Sequence, residues 1–568
     1  MSTTQDQREY YRRRKSALIQ DRQPYEAAWR ELSDNFAPFR GRWTGESAQQ
    51  KRPKTSRKII DPTPLLAART AASGMLAGFT SPSRVWFRAI TRDIKLRENK
   101  AVSKWLDEVT RLLYDTFAGS NFYNVMPQTY EEAVVFGTGA VLVLPDPKTI
   151  VRFFPITINS YAIATNEDNV VDTIYRDITM TARSVARMFG ESNCSDRIKS
   201  LLKTAPDTLV AVTHSIEPRE TFNRALLGAG SMPFVSCWWE TDGAENKVLR
   251  MSGFPRFPVM APRWSVNETD AYGYGAGSLA LGMAKDLQLS SRRKQQTKDK
   301  MTNPTLLAPS TLRNRTISQT SGDIVYFDAA GSDSPTVKPM HLIDPRSVQV
   351  LMEDIDGMRE GINHAFYVDL FLMLTMSDRR QFTAREVEER HEEKLLMLAP
   401  VLERFEAEML DVAIELTFDE LVRRGRMPPP PRELDNPESI EIEYISILSQ
   451  AQRAVGMGGN ERLYQTAGAI AQMTGDVSVW DKIDTDQLLD ETAAMAGSTP
   501  TILRDDEEVK AIRANRAKVQ QQAQQAQLQQ QQADTAKTLS ETKTPEGSAL
   551  DQLTQPQQEL APPAGVAA

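Results

Sequence analysis

The chain of 568 residues has few of the side chains on which most enzymes depend. It contains two cysteines, Cys194 and Cys237, and four histidines, none at the spacing of a metal-binding motif. Two cysteines are too few for a disulfide framework and indicate a reducing compartment. The pattern G-x-x-x-x-G-K-[ST] is also absent, which argues against a P-loop nucleotide site. We therefore predict no catalytic residues, no metal site and no cofactor.

Long apolar runs are missing as well. A membrane-spanning helix needs about 20 consecutive apolar residues, whereas the best run here, 133–144, is short and interrupted by glycine. The first 15 residues lack the apolar core of a secretory signal. We predict neither a membrane span nor secretion.

Charge is present in quantity but is unevenly placed. The chain carries 68 Lys and Arg against 75 Asp and Glu, a formal net charge of −7. Residues 1–58 hold 14 basic and 7 acidic residues, a net of +7, so the remainder carries −14. Such a basic arm either contacts an acidic surface or nucleic acid, or is a solvated segment.

The first 275 residues show the alternating signals of an α+β body. Helical spacing of apolar residues predicts one helix or a helix pair over 8–36 and helices over 64–78, 101–117, 125–137 and 182–189. Runs of β-branched and aromatic residues predict strands over 141–144, 151–154, 170–175, 208–217 and 234–240.

Two helices and a small insertion predict a protruding stalk. The first helix covers 278–301, and its second half carries a cluster of cations: Arg292, Arg293, Lys294, Lys298 and Lys300. A β-rich insertion over 305–342 separates it from a helix over 346–366. The glycine-rich stretch 273–278 before the stalk is interpreted as a flexible hinge, with an anion site at the helix N-terminus as the alternative.

A third long helix is predicted over 383–425. Its apolar positions advance by alternating steps of 3 and 4, as in a coiled-coil seam: Leu395, Leu398, Leu402, Phe405, Met409, Val412 and Leu416. Pro400 predicts a kink, and Gly425 predicts the end of the helix. Residues 367–382 before it are interpreted as an apolar loop that also carries Arg379 and Arg380.

The C-terminal part changes from strand to helix to biased composition. Residues 440–448 alternate as one strand, and 450–496 have a helical pattern with glycine breaks. A charged and then Gln-rich helix is predicted over 505–532. The Pro, Gln, Ser and Thr content of 534–568 predicts a disordered tail.

Six short strings, in the same order, resemble one protein family. They are the sequence from Ser73 to Phe87 (SGMLAGFTSPSRVWF), and those at 136–140, 272–275, 303–304, 383–387 and 425–431. Together they resemble the portal, or head-to-tail connector, proteins of podovirus-type tailed bacteriophages, over about residues 10–530. The pair Ala384–Arg385 departs from the family pattern.

The resemblance implies a structural protein rather than an enzyme. It implies a cone-shaped homo-dodecamer at one capsid vertex, in the virion and, during assembly, in the host cytoplasm. Double-stranded DNA is packaged, retained and later ejected through its channel. The implied partners are that DNA, the terminase large subunit, the major capsid and scaffolding proteins, and a tail adaptor protein.

The resemblance also implies a subunit plan for this mainly helical α+β chain: wing 1–275, first stem helix 276–301, clip 302–345, second stem helix 346–366, tunnel loop 367–382, long kinked helix 383–430, helical crown 431–533 and disordered tail 534–568.

Net charge leads to a hypothesis about the channel. Twelve copies would carry about −84 formal charges, so the ring would repel DNA and let it slide. Arg379 and Arg380 in the tunnel loop and the stem cations would touch phosphates weakly; alternatively, the stem cations pair with acids of an adjacent subunit. Two other functions remain open at this point: another virion component, such as a tail adaptor or scaffold, or a metal-dependent nucleic-acid-processing enzyme.

Overall fold

The computed structural model describes residues 4–41, 43, 59–91, 93, 96, 99–222, 228–243, 248–302, 306–307, 338–339, 344–376, 398–432, 434, 440–445, 466–470, 472–473, 483, 506–541, 543–544 and 547–548. The chain divides into two compact units, Met1–Glu461 and Arg462–Ala568.

The helices of the first unit confirm the sequence prediction up to residue 204 and add one. They are α1 (Thr4–Phe36), α2 (Thr63–Phe79), α3 (Lys100–Gly119), α4 (Phe122–Phe136), α5 (Ala182–Phe189) and the unpredicted α6 (Asp196–Thr204). Helix α1 is a single helix of 33 residues that continues through Pro24. At 1.5 Å per residue it is about 50 Å long.

The strands form antiparallel sheets around these helices. Strands β4 (Tyr161–Thr165), β5 (Val171–Thr181), β6 (Leu209–Pro218), β7 (Phe234–Glu240) and β8 (Val248–Phe254) make a five-stranded sheet in that order. A smaller sheet has the order β3 (Ile150–Pro155), β2 (Val141–Asp146), β9 (Val259–Met260). The α+β body predicted from the sequence is confirmed.

Helix α1 lies on the five-stranded sheet, and three of its basic residues bind groups of the body. The buried Arg8 donates to the backbone oxygens of Glu240 (3.0 Å) and Gly243 (2.7 Å). Arg22 donates to the backbone oxygen of Tyr161 (2.8 Å), and Lys15 bridges Asp177 and Thr213. The hypothesis of a solvated arm is therefore wrong for Arg8 and Arg22, which are buried and hydrogen-bonded. The other arginines of α1 (Arg12, Arg13, Arg14 and Arg30) are exposed.

The string 73–87 packs into an aromatic cluster. Trp86 and Phe87 lie beside Phe117, Phe122 and Tyr114, with ring centroids 4.5–6.2 Å apart. The hydroxyl of Tyr114 accepts hydrogen bonds from the backbone nitrogens of Trp86 and Phe87. The most specific part of the family resemblance is thus a core-packing motif.

The predicted stalk is present as a helical hairpin. Helix α7 (Ala276–Thr302) and helix α8 (Pro345–Ala365) pack against each other. Two short strands, β10 (Leu306–Leu307) and β11 (Lys338–Pro339), pair antiparallel between them. The carboxylate of Asp344 caps α8 by accepting from the backbone nitrogen of Arg346. The rest of the predicted insertion lies outside the described residues.

The predicted loop over 367–382 is wrong for its first part, which is helix α9 (Val368–Met376). Its side chain Phe371 is buried against Gly74 of α2, where a Cβ atom would overlap the phenylalanine. An apolar segment can be buried only if its backbone is hydrogen-bonded internally, and a helix provides those bonds. Arg379 and Arg380 lie outside the described residues.

The third long helix departs from the predicted seam. Residues 398–405 are helical, Glu406–Leu410 form a π-helical turn, and α10 (Asp411–Arg423) follows. The predicted positions Leu398, Leu402 and Phe405 before the turn and Met409 within it are buried. After the turn, Val412 and Leu416 are only half-buried, and the buried positions are Ala413, Ile414, Thr417 and Leu421. A π turn holds one extra residue, which shifts the buried face by one position.

The end of this helix is as predicted, whereas its kink stays a prediction. Gly425 adopts the left-handed conformation (φ 65°), and the backbone nitrogen of Arg426 bonds to the oxygen of Leu421. Pro400 is the third described residue of the helix, and its i−4 partner lies outside the described residues.

A buried ion pair accounts for the π turn. The backbone oxygen of Glu408 accepts from the nitrogen of Ala261 (3.3 Å) outside the helix. The Glu408 carboxylate accepts from the guanidinium of Arg263 (2.6 Å and 3.0 Å) and from its backbone nitrogen (2.9 Å). Arg263 also binds Asn169 in the β4–β5 turn and the backbone of Asp270. One arginine thus ties the helix to the body.

Residues that follow the predicted crown boundary at 431 pair with a strand of the body. Strand β12 (Ile440–Tyr444), predicted from its alternation, pairs antiparallel with β1 (Phe87–Thr91) over five residues. Arg88 and Glu443 form an ion pair across them. Residues 440–444 therefore belong to the body, because a lone strand needs a partner for its backbone groups.

In the second unit the Gln-rich helix is confirmed and is longer than predicted. Helix α11 spans Asp506–Glu541, followed by a two-residue pair of strands, β13 (Lys543–Thr544) and β14 (Gly547–Ser548). The predicted disordered tail is therefore wrong for 534–541, where Ala, Lys and Leu favour continuation of the helix. Residues 549–568 lie outside the described residues.

The Arg263–Glu408 pair leads to a prediction with an internal control. Replacing Arg263 by Ala leaves a buried carboxylate without its partner, and we expect the unfolding free energy to fall by about 3–5 kcal/mol. The Arg256–Glu415 pair joins the same helix to the body but is about half exposed, so Arg256→Ala should cost about 1 kcal/mol or less. Urea unfolding measures both; equal losses would show that burial of the Arg263 pair does not matter.

Glu132 of α4 leads to a pH prediction. Burial raises the pKa of its carboxyl from 4.5 to about 8, opposed by Arg40. Folding thus favours the neutral carboxyl; this stabilisation is complete below pH 4.5 and is lost as the pH rises through about 8. We expect Glu132→Gln to remove this dependence. Wild type should lose about 1.4 kcal/mol per pH unit relative to the variant over that window. Parallel stability curves from pH 5 to 9 would contradict this.

Candidate functional site: the basic helical hairpin

The hairpin is packed against the body only at its root. Along α7 the buried residues are Ala276, Gly277, Ala280, Ala284, Leu287 and Ser291. On α8 the fully buried apolar residues are Ile355 and Ile362. Beyond Ser291, every residue of α7 is exposed or half-buried. The basic half of α7 therefore extends past the core of its own subunit.

The glycines before α7 make a close backbone contact and not a hinge. A Cβ atom on Gly273 would overlap the backbone oxygen of Gly137, and one on Gly275 would overlap that of Val134 at the end of α4. Gly137 itself ends α4 in the left-handed conformation (φ 85°). The hinge interpretation is wrong, because both glycines are packed against backbone atoms at the end of α4. Glycine at positions 273 and 275 allows the backbone before α7 to approach the backbone at the end of α4.

A polar latch fastens both helices of the hairpin to the segment before α2. The side chain of Gln288 on α7 accepts from the backbone nitrogens of Ile60 (2.7 Å) and Asp61 (2.9 Å) and donates to the Asp61 oxygen (2.9 Å). Arg359 on α8 donates to the Asp61 carboxylate at 2.7 Å and 3.1 Å. Although burial alone raises the pKa of Asp61, hydrogen bonds from Thr63 and Arg359 hold it below its usual value.

The stem cations point in different directions around α7. Successive helical residues are rotated by about 100°, so Arg292, Arg293 and Lys294 cannot share one face. Lys294 is half-buried, whereas Arg292, Arg293, Lys298 and Lys300 are exposed. None of the five forms an ion pair with an acidic side chain among the residues that the structure describes. A single surface containing all five is therefore excluded.

The cysteines and His214 lie in the core of the protein. Cys194 and Cys237 are buried free thiols, and burial raises the pKa of Cys237 to about 12. His214 is buried and stacks on Trp238 at 3.7 Å between ring centroids. In the described part of the chain, no group of three or more His, Cys, Asp and Glu residues is arranged to hold a metal ion. No helix of the described ranges is long and apolar enough to cross a membrane.

Sequence reasoning missed the residues that fix this site. Gln288, Asp61 and Arg359 are far apart in sequence, and none of them belongs to a recognisable sequence motif. The same is true of Arg263 and Glu408, which are 145 positions apart. The only local signal is Asp61–Pro62–Thr63–Pro64, whose carboxylate accepts from Thr63 as in a helix start.

Known proteins resemble this chain over nearly its whole length. The family described as bacteriophage head to tail connecting protein matches residues 8–503. The portal protein of Salmonella phage epsilon15 is 38% identical over 538 residues, which is 94% of this chain and 95% of that protein. The probable portal protein of Bordetella phage BPP-1 is 38% identical over 540 residues, 94% of this chain and 96% of that protein.

Two solved structures show weaker similarity. A chain from the virion of a native gene transfer agent particle is 12% identical, with a TM-score of 0.35; the match covers 83% of this chain and 93% of that one. A chain from the neck of such a particle is 13% identical, with a TM-score of 0.32, over 72% and 86%. The family match and the two relatives at 38% identity decide the assignment: this chain belongs to the bacteriophage head-to-tail connecting protein family.

Proposed function

We propose that this protein is the portal subunit of a tailed bacteriophage. The observation that carries the proposal is its 38% identity, over 94% of the chain, to proteins named as portal and probable portal proteins. Both chains are covered almost completely, so the proposed function concerns the whole protein. Copies of the subunit would form a ring at one vertex of the capsid, as a component of the virion and not as an enzyme.

The hairpin supports an assembly of several copies. Nine of the eleven residues 292–302 of α7 are exposed, including apolar Met301 (43% exposed), and α8 exposes Val350 (56%) and Met352 (48%). Side chains of this kind on two neighbouring helices are expected to be covered by other subunits. In the proposed ring the hairpins would line the channel as the stem.

The subunit plan is retained with two changes. The body up to residue 275, together with 440–444, forms the wing; α7 and α8 form the stem; and 302–345 form the clip, which would bind the tail adaptor. Residues 367–382 would reach the tunnel through a segment that starts as helix α9, and the crown would begin after 444. The terminase large subunit, the capsid and scaffolding proteins, and double-stranded DNA are the proposed partners.

Charge gives the proposed channel its mechanism. With a net charge of −7 per subunit, the ring repels DNA overall, so a duplex is not held by extensive phosphate neutralisation. The cations Arg379 and Arg380 would provide a sparse ring of phosphate contacts without base recognition. DNA could then slide during packaging and still be retained afterwards.

Assembly is the first test of the proposal. We expect the purified full-length protein to form rings with a central hole in electron micrographs, with a particle mass that is an integral multiple of 63.7 kDa. A tail adaptor or scaffold would give a different particle, and monomers without a hole would contradict the portal function.

Substitution of Arg379 and Arg380 tests the channel contacts. The double variant Arg379→Ala/Arg380→Ala should assemble into normal rings, yet about tenfold fewer DNA-filled heads should survive, because each contact is repeated in every subunit. The matched control is Arg183→Ala/Arg187→Ala, which removes the same charge from exposed positions of α5. Packaging and retention equal to wild type would contradict this role.

A further inference from the structure

Each helix of the hairpin has a stripe of exposed residues that recur at steps of 3 and 4. On α7 the stripe recurs at steps of 3 and 4 and comprises Ser278, Gly282, Lys285, Leu289, Arg293, Gln296 and Lys300. On α8 it comprises Arg346, Val350, Glu353, Gly357, Glu360 and His364. All thirteen residues are exposed. Such spacing is typical of a helix that packs along its length against another helix.

Glycine in the middle of each stripe indicates that something approaches closely. A Cβ atom on Gly282 or on Gly357 would meet nothing within 4 Å in the subunit. Neither glycine is needed for a turn, since both lie inside regular helix. Glycine destabilises a helix interior relative to alanine, and here no contact within the subunit compensates for that cost. A second helix packed against these positions would use the space.

The two stripes match in charge. Around its middle the α7 stripe carries Arg293, and the α8 stripe carries Glu353 and Glu360. Neither Arg293 nor Glu353 forms an ion pair among the described residues; Glu353 only accepts a hydrogen bond from Gln349, one turn away in the same helix. Charges of opposite sign that lack partners within the subunit favour contact between copies.

The stripes also match in height. Gly361 of α8 is level with Met283 of α7, because a Cβ atom on the glycine would lie 2.7 Å from the methionine sulfur. The helices run antiparallel at 1.5 Å per residue, so Leu289 is level with about residue 355 and Arg293 with about residue 351. In a ring whose axis follows the hairpin, an adjacent copy presents its α8 at these same heights. Leu289 then lies between Glu353 and Gly357, and Arg293 lies between Val350 and Glu353.

We propose that a second copy of this chain packs its α8 stripe onto the α7 stripe, with Arg293 paired to Glu353 of the adjacent copy and Leu289 seated at its Gly357. The proposal rests on the ring of the proposed function and specifies the contact that closes it. It also assigns Arg293 to the subunit interface and not to DNA. A cyclic ring repeats this heterologous contact in every subunit.

Charge reversal tests the pair. Arg293→Glu and Glu353→Arg should each lower the fraction of subunits in rings by about tenfold or more, because like charges then face each other at every interface. The double variant Arg293→Glu/Glu353→Arg should restore rings. Lys298→Glu is the matched control: it makes the same charge change on the same helix, about 160° away from the stripe, and should leave assembly unchanged. Mass photometry of the DNA-free protein measures all four.

A disulfide tests the register independently. Leu289→Cys/Gly357→Cys should give a ladder of covalent oligomers on oxidation, whereas each single variant and the off-register pair Leu279→Cys/Gly357→Cys should stay monomeric in denaturing gels. The native cysteines are buried and do not compete. Rings without a ladder and without rescue by the double charge reversal would overturn the interface and leave the portal function intact. Failure of the wild type to form rings would overturn both.

Discussion

The hairpin is held to the body by a contact of backbone against backbone. Gly273 and Gly275 lie against the last turn of α4, where any side chain would collide with carbonyl oxygens. Because the contact contains no flexible side chain, its geometry is fixed by peptide planes and not by rotamers. The hairpin is anchored there and at the Gln288–Asp61–Arg359 latch. These two contacts fix the base of the hairpin relative to the body.

Most of the secondary structure is predictable because it depends on residues that are close in sequence. The limits of α5 (Ala182–Phe189) follow from its capping Thr181 and the following Gly190, and those of strand β7 (Phe234–Glu240) follow from a run rich in aromatic residues. Two of the wrong predictions involve tertiary contacts. Helix α9 is almost entirely apolar and so has no helical period to predict it, and its burial depends on the space that Gly74 leaves for Phe371. The buried positions after residue 410 differ from the predicted ones because Arg263, which is distant in sequence, binds Glu408.

The candidate site was predictable in composition but not in arrangement. A count of Lys and Arg identifies α7 as basic, yet the helical rotation separates its cations into different directions. In α1 the same kind of count suggested a free basic arm, whereas Arg8 and Arg22 are buried donors to backbone carbonyls. The role of each cation therefore depends on whether an acceptor lies within about 3 Å, which a count of charges does not predict.

The π turn at Glu406–Leu410 connects these observations. An extra residue in a helix would normally relax to regular α-helical bonding, unless groups outside the helix bind the displaced backbone and side chain. Here Ala261 binds the Glu408 carbonyl, and Arg263 binds its carboxylate. Arg263 also holds Asn169 of the β4–β5 turn, so the orientation of α10 is tied to the five-stranded sheet. The described helix on either side of the π turn is thus positioned by contacts with the body, and the heptad pattern predicts its buried face only up to Met409.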